Sequence, residues 1–543
     1  MKFSRPLLAL VLLVIVLVAV WLWWSIPAKV DMADYAPADA IVYVEFNNPA
    51  AVAQAIQNSN VWQAAYPITQ SKAASPNRLS ATAARAGLGP LPAVLFARAQ
   101  VALAMIGLNT SEEDNSLKVR PEFALIVETH TSKWRIKPAA AAAIKQLANF
   151  TYGDSMCSER VADADYIECS LAGGERKIIG AVDGSLVVIG NSDNAVRSCL
   201  DARHGRKPNI HSDTEFVKVR SNVSSDKTLG FGYVSPANSA KLFSWVAPLM
   251  ILHSPADQQL QQLLSISAGK VLRGVAWTAS SAPQGIEDRF LFSLDPGVVS
   301  RLQPAFAESE NDSSVWQFVP AGFQSLTIYR NKTPGTAWSS LSSAVAFKLD
   351  AVPAALFGTL LKSSLSVYGI SNPKEALTAL NPPLLTLKPS YGAEEAILVA
   401  RVNNVEQLKQ SLSDSKEFTA VFVNDYVLLG KTENVRASLE AIKRGVEADP
   451  KKYLDYLGQE SNQAGVIMTF TNDEERVNNF ISTLVQLQGR KLSPQELESL
   501  HNVVRTAGIA ATETKLNAFG IERRTRSAFG QFSTIASQLQ SGR

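Results

Sequence analysis

The histidines number five, His130, His204, His211, His253 and His501, and no two of them stand four residues apart. A helical H-E-x-x-H zinc site needs two imidazoles on one helix face, so that chemistry is excluded. The phosphate-cradling G-x-x-x-x-G-K-S/T and the nucleophile-elbow G-x-S-x-G spacings are missing from the sequence as well. Gly87-Leu88-Gly89-Pro90 is not a dinucleotide loop, because proline follows the second glycine. Asp163-Ala164-Asp165 lacks the glycine and terminal glutamate of a calcium loop, and there is no C-x-x-C. The sequence therefore offers no catalytic residue, no cofactor-binding residue, no cofactor and no metal ligand, and the chain is expected not to be an enzyme. A triad assembled from distant residues stays open, with His130 as its first suspect, in the polar stretch after an apolar run.

Two constellations carry more information. Gly285-Ile286-Glu287-Asp288-Arg289 recurs as Gly520-Ile521-Glu522-Arg523-Arg524, which makes Glu287, Arg289, Glu522 and Arg524 the polar candidates. They read either as a shared site or as a cross-strand ion pair worth about 0–1 kcal/mol. Cys157 and Cys169 flank the polar stretch Val161-Ala162-Asp163-Ala164-Asp165. A hairpin centred on Asp163 sets them on facing strands within disulfide reach. Cys199 falls on a helix face, as a small buried apolar residue.

The positioning elements begin with an apolar run without charge, Leu7 to Trp24. At about 1.5 Å per residue it reaches roughly 27 Å, near the thickness of a bilayer core. Lys2 and Arg5 precede it while Lys29, Asp31 and Asp34 follow. The positive-inside rule then makes residues 1–6 a cytoplasmic stub, 7–24 a transmembrane signal anchor in the lipid bilayer, and the rest periplasmic or otherwise extracytoplasmic. A cleaved signal peptide is the competing reading; its apolar region is shorter and ends in small residues, unlike Ile26-Pro27-Ala28. Lysine and arginine total 52 against 49 acidic residues, with 19% charged, which excludes a strongly basic nucleic-acid binder and a disordered chain.

The body reads as a tandem duplication. Pro37-Ala38-Asp39 leads into the apolar Ile41–Phe46, and Pro320-Ala321-Gly322 leads into Leu326–Tyr329. Leu186–Gly190 followed by Asn191–Ala202 is answered by Val427–Gly430 followed by Lys431–Ala441: a buried strand, a glycine exit and a capped amphipathic helix. Expected are two related α+β domains with largely antiparallel sheets and helices on one face. The first spans 35–300 with an extra helical section at about 62–120, the linker 301–314, and the second 315–543. Trp245–Leu252 is expected as a buried helix.

The anchor, the P-A-D entry and the glycine-then-helix signpost resemble a family of bacterial single-pass, signal-anchored envelope proteins known only as a domain of unknown function. The likeness spans most of 35–480, with Gly322 standing where the pattern has aspartate. It implies an inner- or plasma-membrane location and no catalytic residue. Together these readings point to a non-enzymatic scaffold or partner-binding module with an envelope protein as partner. A carrier of lipid or another hydrophobic ligand between the two copies is the alternative, and an envelope hydrolase with a site not visible in sequence the second.

Overall fold

The computed structural model describes residues 29–69, 99–113, 116–152, 155–171, 177–235, 269–309, 314–388, 396–443, 448, 450–457, 465–487 and 492–534. The anchor Leu7–Trp24 and the expected helix Trp245–Leu252 lie outside them. No helix among the described residues is long and apolar enough to cross a membrane.

The first half contributes β1 (Val42–Phe46), β2 (Gln100–Glu113), β3 (Ser116–Glu128), β4 (Ser155–Val161) and β5 (Asp165–Leu171). It continues with β6 (Lys177–Asp183), β7 (Leu186–Gly190), β8 (Thr228–Val234), β9 (Leu272–Ala282) and β10 (Gly285–Leu294). The second half contributes β11 (Ser325–Tyr329), β12 (Leu380–Lys388), β13 (Ile397–Val402) and β14 (Phe418–Val423). It ends with β15 (Tyr426–Lys431), β16 (Ile467–Asn472), β17 (Ile509–Asn517) and β18 (Gly520–Ser527).

These strands do not form two domains, which corrects the sequence expectation: they join one 18-stranded antiparallel sheet. Read across hydrogen-bonded neighbours, the first half runs β4-β5-β6-β7-β3-β2-β1-β8-β9-β10. β10 then pairs with β18, and the second half runs β18-β17-β16-β11-β12-β13-β15-β14. Outward from this seam both halves follow the same order, and the hairpin β4–β5 is added at the end of the first. The expected division failed because the last strand of each half is the free edge that the other half covers. Such pairing between halves leaves no trace in either half's own hydrophobic pattern.

Helices cover both faces of the sheet rather than one. Along β3, Ala124 and Ile126 join the core under helix Asp193–Arg203, whereas Val127 joins the core under helix Lys133–Tyr152. Successive side chains of a strand point to opposite faces, so these cores lie on opposite sides. The section around 100–120 expected to be helical is the hairpin β2–β3. The run Val101 to Ile106 is apolar on both strand faces although Leu103 on the more open one is 41% exposed, so its period cannot be separated from that of a helix. Within the stretch expected as a linker, Leu302 and Ala305 are buried, and Leu302 shares a core with Val298, Val299 and Ala344. Val315, Trp316, Phe318 and Val319 enter the core of the second half.

The halves also exchange the segments that follow their last strands. Helix Pro296–Leu302, after β10, packs on Ala344 of the second half. After β18, Ala528 and Phe529 pack against Val61 and Ala65 of helix Asn60–Thr69, and Phe532 against Ala55. Gly285 and Gly520 open β10 and β18 at φ 152° and 148°. A Cβ at Gly285 would strike the carbonyl oxygens of Ser527 and Ala528, and one at Gly520 that of Phe292. Each recurring glycine is therefore the point where the other half's backbone passes too close for a side chain.

Gly520→Ala is expected to cost roughly 3 kcal/mol from the clash and the positive φ. The loss should not stay in the second half. Unfolding followed at cysteine-reactive or fluorescent labels placed near Trp277 and near Trp316 should show one shared midpoint, lowered equally by the substitution.

Candidate functional site

The polar candidates meet at the seam. β10 and β18 pair with Arg289 opposite Arg524, the fifth residue of each G-I-E motif, so equivalent positions face each other at a local two-fold. Glu287 lies opposite Arg526 and Leu291 opposite Glu522. By alternation Glu287, Arg289, Glu522, Arg524 and Arg526 share one face of the sheet. There Arg289 Nη2 donates to Glu522 Oε2 at 2.8 Å, Arg524 Nε to Glu522 Oε1 at 2.5 Å, and Arg526 Nε to Glu287 Oε2 at 2.7 Å. The cluster reaches sideways into both halves. Arg289 Nη1 donates to the carbonyl of Asn222, at the end of helix Thr214–Val223, at 3.1 Å. Arg526 donates to the carbonyl of Leu457.

Burial works against the ionised form of Glu522, but the hydrogen bonds and charges of Arg289 and Arg524 outweigh it and hold the carboxyl below its usual range. On the opposite face of the same strand Asp288 is fully buried, accepting from Trp277 Nε1 at 2.8 Å and from the Gln531 N–H at 3.0 Å. Burial pushes its carboxyl up to about 6, above what its two donors offset. Sequence reasoning passed over Asp288; the signal was an aspartate between two strand positions that face the core.

A second polar node follows directly on the end of the expected anchor. The backbone N–H of Val30 donates to Gln100 Oε1 and its carbonyl accepts from Gln100 Nε2, both at 2.9 Å. Arg220 Nη1 donates to both oxygens of Asp31 at 2.8 and 2.9 Å, and its Nη2 to Glu45 Oε1 at 2.6 Å. Tyr43 Oη donates to the other oxygen of Glu45 at 2.6 Å. Glu45 is 2% exposed, and burial raises its carboxyl despite Arg220 and Tyr43. At Asp31 burial is overcome by Arg220, which lowers the carboxyl. Residues 30 and 31 are thereby fastened to β2 and to helix Thr214–Val223.

The remaining candidates are placed as follows. Cys157 and Cys169 are register partners on β4 and β5 and form a disulfide, while Cys199 is free and buried. His130 Nε2 lies 3.0 Å from Gln100 Oε1 and its backbone N–H donates to Glu128, so it belongs to the node under Val30. His204 lies 3.0 Å from Asp183, His211 2.9 Å from Asp31 and His501 2.7 Å from Glu474. No group of three metal-binding side chains occurs among the described residues. Compared with known proteins, the chain matches no family model, no curated protein and no solved structure.

Glu522→Gln leaves Arg289 and Arg524 facing one another without their shared counter-charge, and is expected to cost about 2 kcal/mol at pH 7. The folded-state shift of Glu522 is downward, so its stabilisation is complete above the unfolded value and fades as pH falls through the lower folded one. Urea titrations of the two proteins should therefore differ most at neutral pH and converge as the pH falls below the ordinary glutamate range.

Proposed function

We propose that the protein is a non-enzymatic scaffold, tethered to the membrane by Leu7 to Trp24 with its body outside the cytoplasm, that holds an envelope protein partner. The observation that carries this reading is the use made of the charged groups. Glu522 and Glu287 tie β10 to β18, Arg220 ties Asp31 to Glu45, and Asp288 ties β10 to the segment after β18. Each is spent joining one element to another. A body whose first residues after the anchor are bonded into its core transmits position, which is what a scaffold does.

The Cys157–Cys169 disulfide supports an oxidising compartment. The surface between the halves supports the scaffold over the carrier. A hydrophobic ligand needs an apolar cavity of about 300 Å³ or more, whereas the seam presents two glutamates and three arginines on one face. The resemblance to signal-anchored envelope proteins points the same way.

In-cell crosslinking followed by detergent extraction and mass spectrometry is expected to recover one stoichiometric envelope protein; recovery of the chain alone, or of bound lipid, counts against the scaffold. Labelling of intact cells under denaturing quench is a second check. Cys157 and Cys169 should resist maleimide until a reductant is added, and labelling without reductant would refute the extracytoplasmic placement.

A further inference from the structure

The two ends of the sheet are not alike. In the first half β6 is followed outward by β5 and then by β4, a hairpin closed by the Cys157–Cys169 disulfide. In the second half the equivalent strand is β14, which pairs with β15 and with no other strand among the described residues. The two hairpins correspond residue for residue. Asp183 and Leu186 close β6–β7 around Gly184 at φ 62°, and Val423 and Tyr426 close β14–β15 around Asn424 at φ 55°. A two-residue turn of this hand ends in a hydrogen-bonded closing pair, so alternate residues back along the strand point their N–H and C=O outward. In β6 the outward residues are Ile178, Gly180 and Val182, register partners of Cys169, Ile167 and Asp165 on β5. In β14 they are Phe418, Ala420 and Phe422.

The sequence of β14, Phe-Thr-Ala-Val-Phe-Val, carries no charge, proline or glycine, and Phe422 is 39% exposed. Such an edge is a template for another strand unless something covers it. Its own composition selects the occupant. An antiparallel two-fold pairing of β14 with itself must place outward residues opposite outward residues. Centred on Ala420, it sets Phe418 against Phe422 and Thr419 against Val421, aromatic on aromatic and β-branched on β-branched. The flanking charges also fit: Lys416 falls opposite Asn424 and beside Asp425. Shifting the centre to Val421 would oppose Glu417 to Asp425. The seam continues this mode of assembly within one chain, for there too equivalent residues, Arg289 and Arg524, face each other across antiparallel edges.

We propose that β14 is a homodimer edge, where a second copy of this chain extends the sheet by antiparallel β14–β14 pairing centred on Ala420. The association closes at two copies. The opposite edge, β4, carries Glu159 and Arg160 and an ion pair from Lys145 to Glu159, features that blunt strand addition. The Phe418 N–H is already directed to the Ser415 carbonyl at 3.3 Å, so the Ala420 and Phe422 amides carry the pairing.

The test uses the full chain in its membrane. Across a hydrogen-bonded antiparallel pair the Cα atoms lie about 5.5 Å apart, within disulfide reach. Ala420→Cys should therefore crosslink under mild oxidant to a species of twice the 58.6 kDa chain mass, reversed by reductant. Phe422→Cys is the register control. Its two copies would stand roughly 14 Å apart, four residues along the strand, and should stay unlinked. Background is low, because Cys199 is buried and burial pushes its thiol up to about 12. Light scattering of the detergent-extracted wild-type chain gives an independent mass, expected at two copies. Failure of Ala420→Cys to link in a chain that extracts at one copy overturns the proposal. Equal linking of Phe422→Cys, or linking of Ala420→Cys to a different protein, overturns the register or the occupant.

Discussion

The union of the two halves hangs on the antiparallel contact between β10 and β18. Eight register pairs, from Ile286–Ser527 to Ser293–Gly520, turn two half-sheets into one and remove two exposed edges at once. An exposed edge leaves backbone donors and acceptors to water or to aggregation, so covering each half's edge with the other is a large local gain. Two glycines are held for it, because any side chain at Gly285 or Gly520 would collide with the opposite backbone. The exchange of trailing segments follows from the same contact. Each chain segment leaving the seam emerges beside the other half and finds its apolar partners there, as Phe529 does at Val61 and Val298 at Ala344.

Charge is used in this structure as mortar. An isolated exposed pair contributes little, but Glu522 accepts from two arginines while a third holds Glu287, and Glu522 itself is buried. The node at Arg220 works under a heavier desolvation cost. Glu45 is nearly inaccessible, and its two oxygens are met by Arg220 and Tyr43, so the ion remains tolerable only while both partners stay. That arrangement specifies geometry more than it adds stability. It fixes where the chain enters the body, since Asp31 shares the same guanidinium.

Local features were legible from sequence, and the global one was not. Strands at 186–190, 418–423 and 426–430, and the Cys157–Cys169 pairing across a hairpin, follow from alternation and turn chemistry within a few residues of one another. The repeated G-I-E motif drew attention to Glu287, Arg289, Glu522 and Arg524, which the structure gathers in one cluster. What it did not disclose was that the two motifs touch. Two strands separated by more than two hundred residues pair through backbone groups that every residue owns, so no side-chain pattern announces the contact. The helical reading of the section at about 62–120 failed at β2 for another reason: Val101, Leu103 and Met105 keep the more open face apolar although Leu103 is 41% exposed, so no polar alternation marks the strand. Arg220, Glu45 and Asp288 were missed because a lone charge in a helix or strand reads as solvated until its partners are placed in space.

The far end of the first half shows what it takes to add strands beyond the repeated core. Along β4 only Ser155 and Cys157 are even half-buried, and Met156 and Val161 are largely exposed, so burial contributes little to keeping that strand in place. The disulfide to Cys169, which is itself fully buried, supplies the missing constraint. Closing a loop of this size is worth about 3 kcal/mol in chain-entropy terms, comparable to burying one or two large side chains. Lys133 and Lys137 add to it by meeting Asp165 at the turn end of the hairpin. A covalent staple thus substitutes for the hydrophobic burial that β4 lacks. The second half, lacking the cysteines, ends its sheet one hairpin sooner at β14.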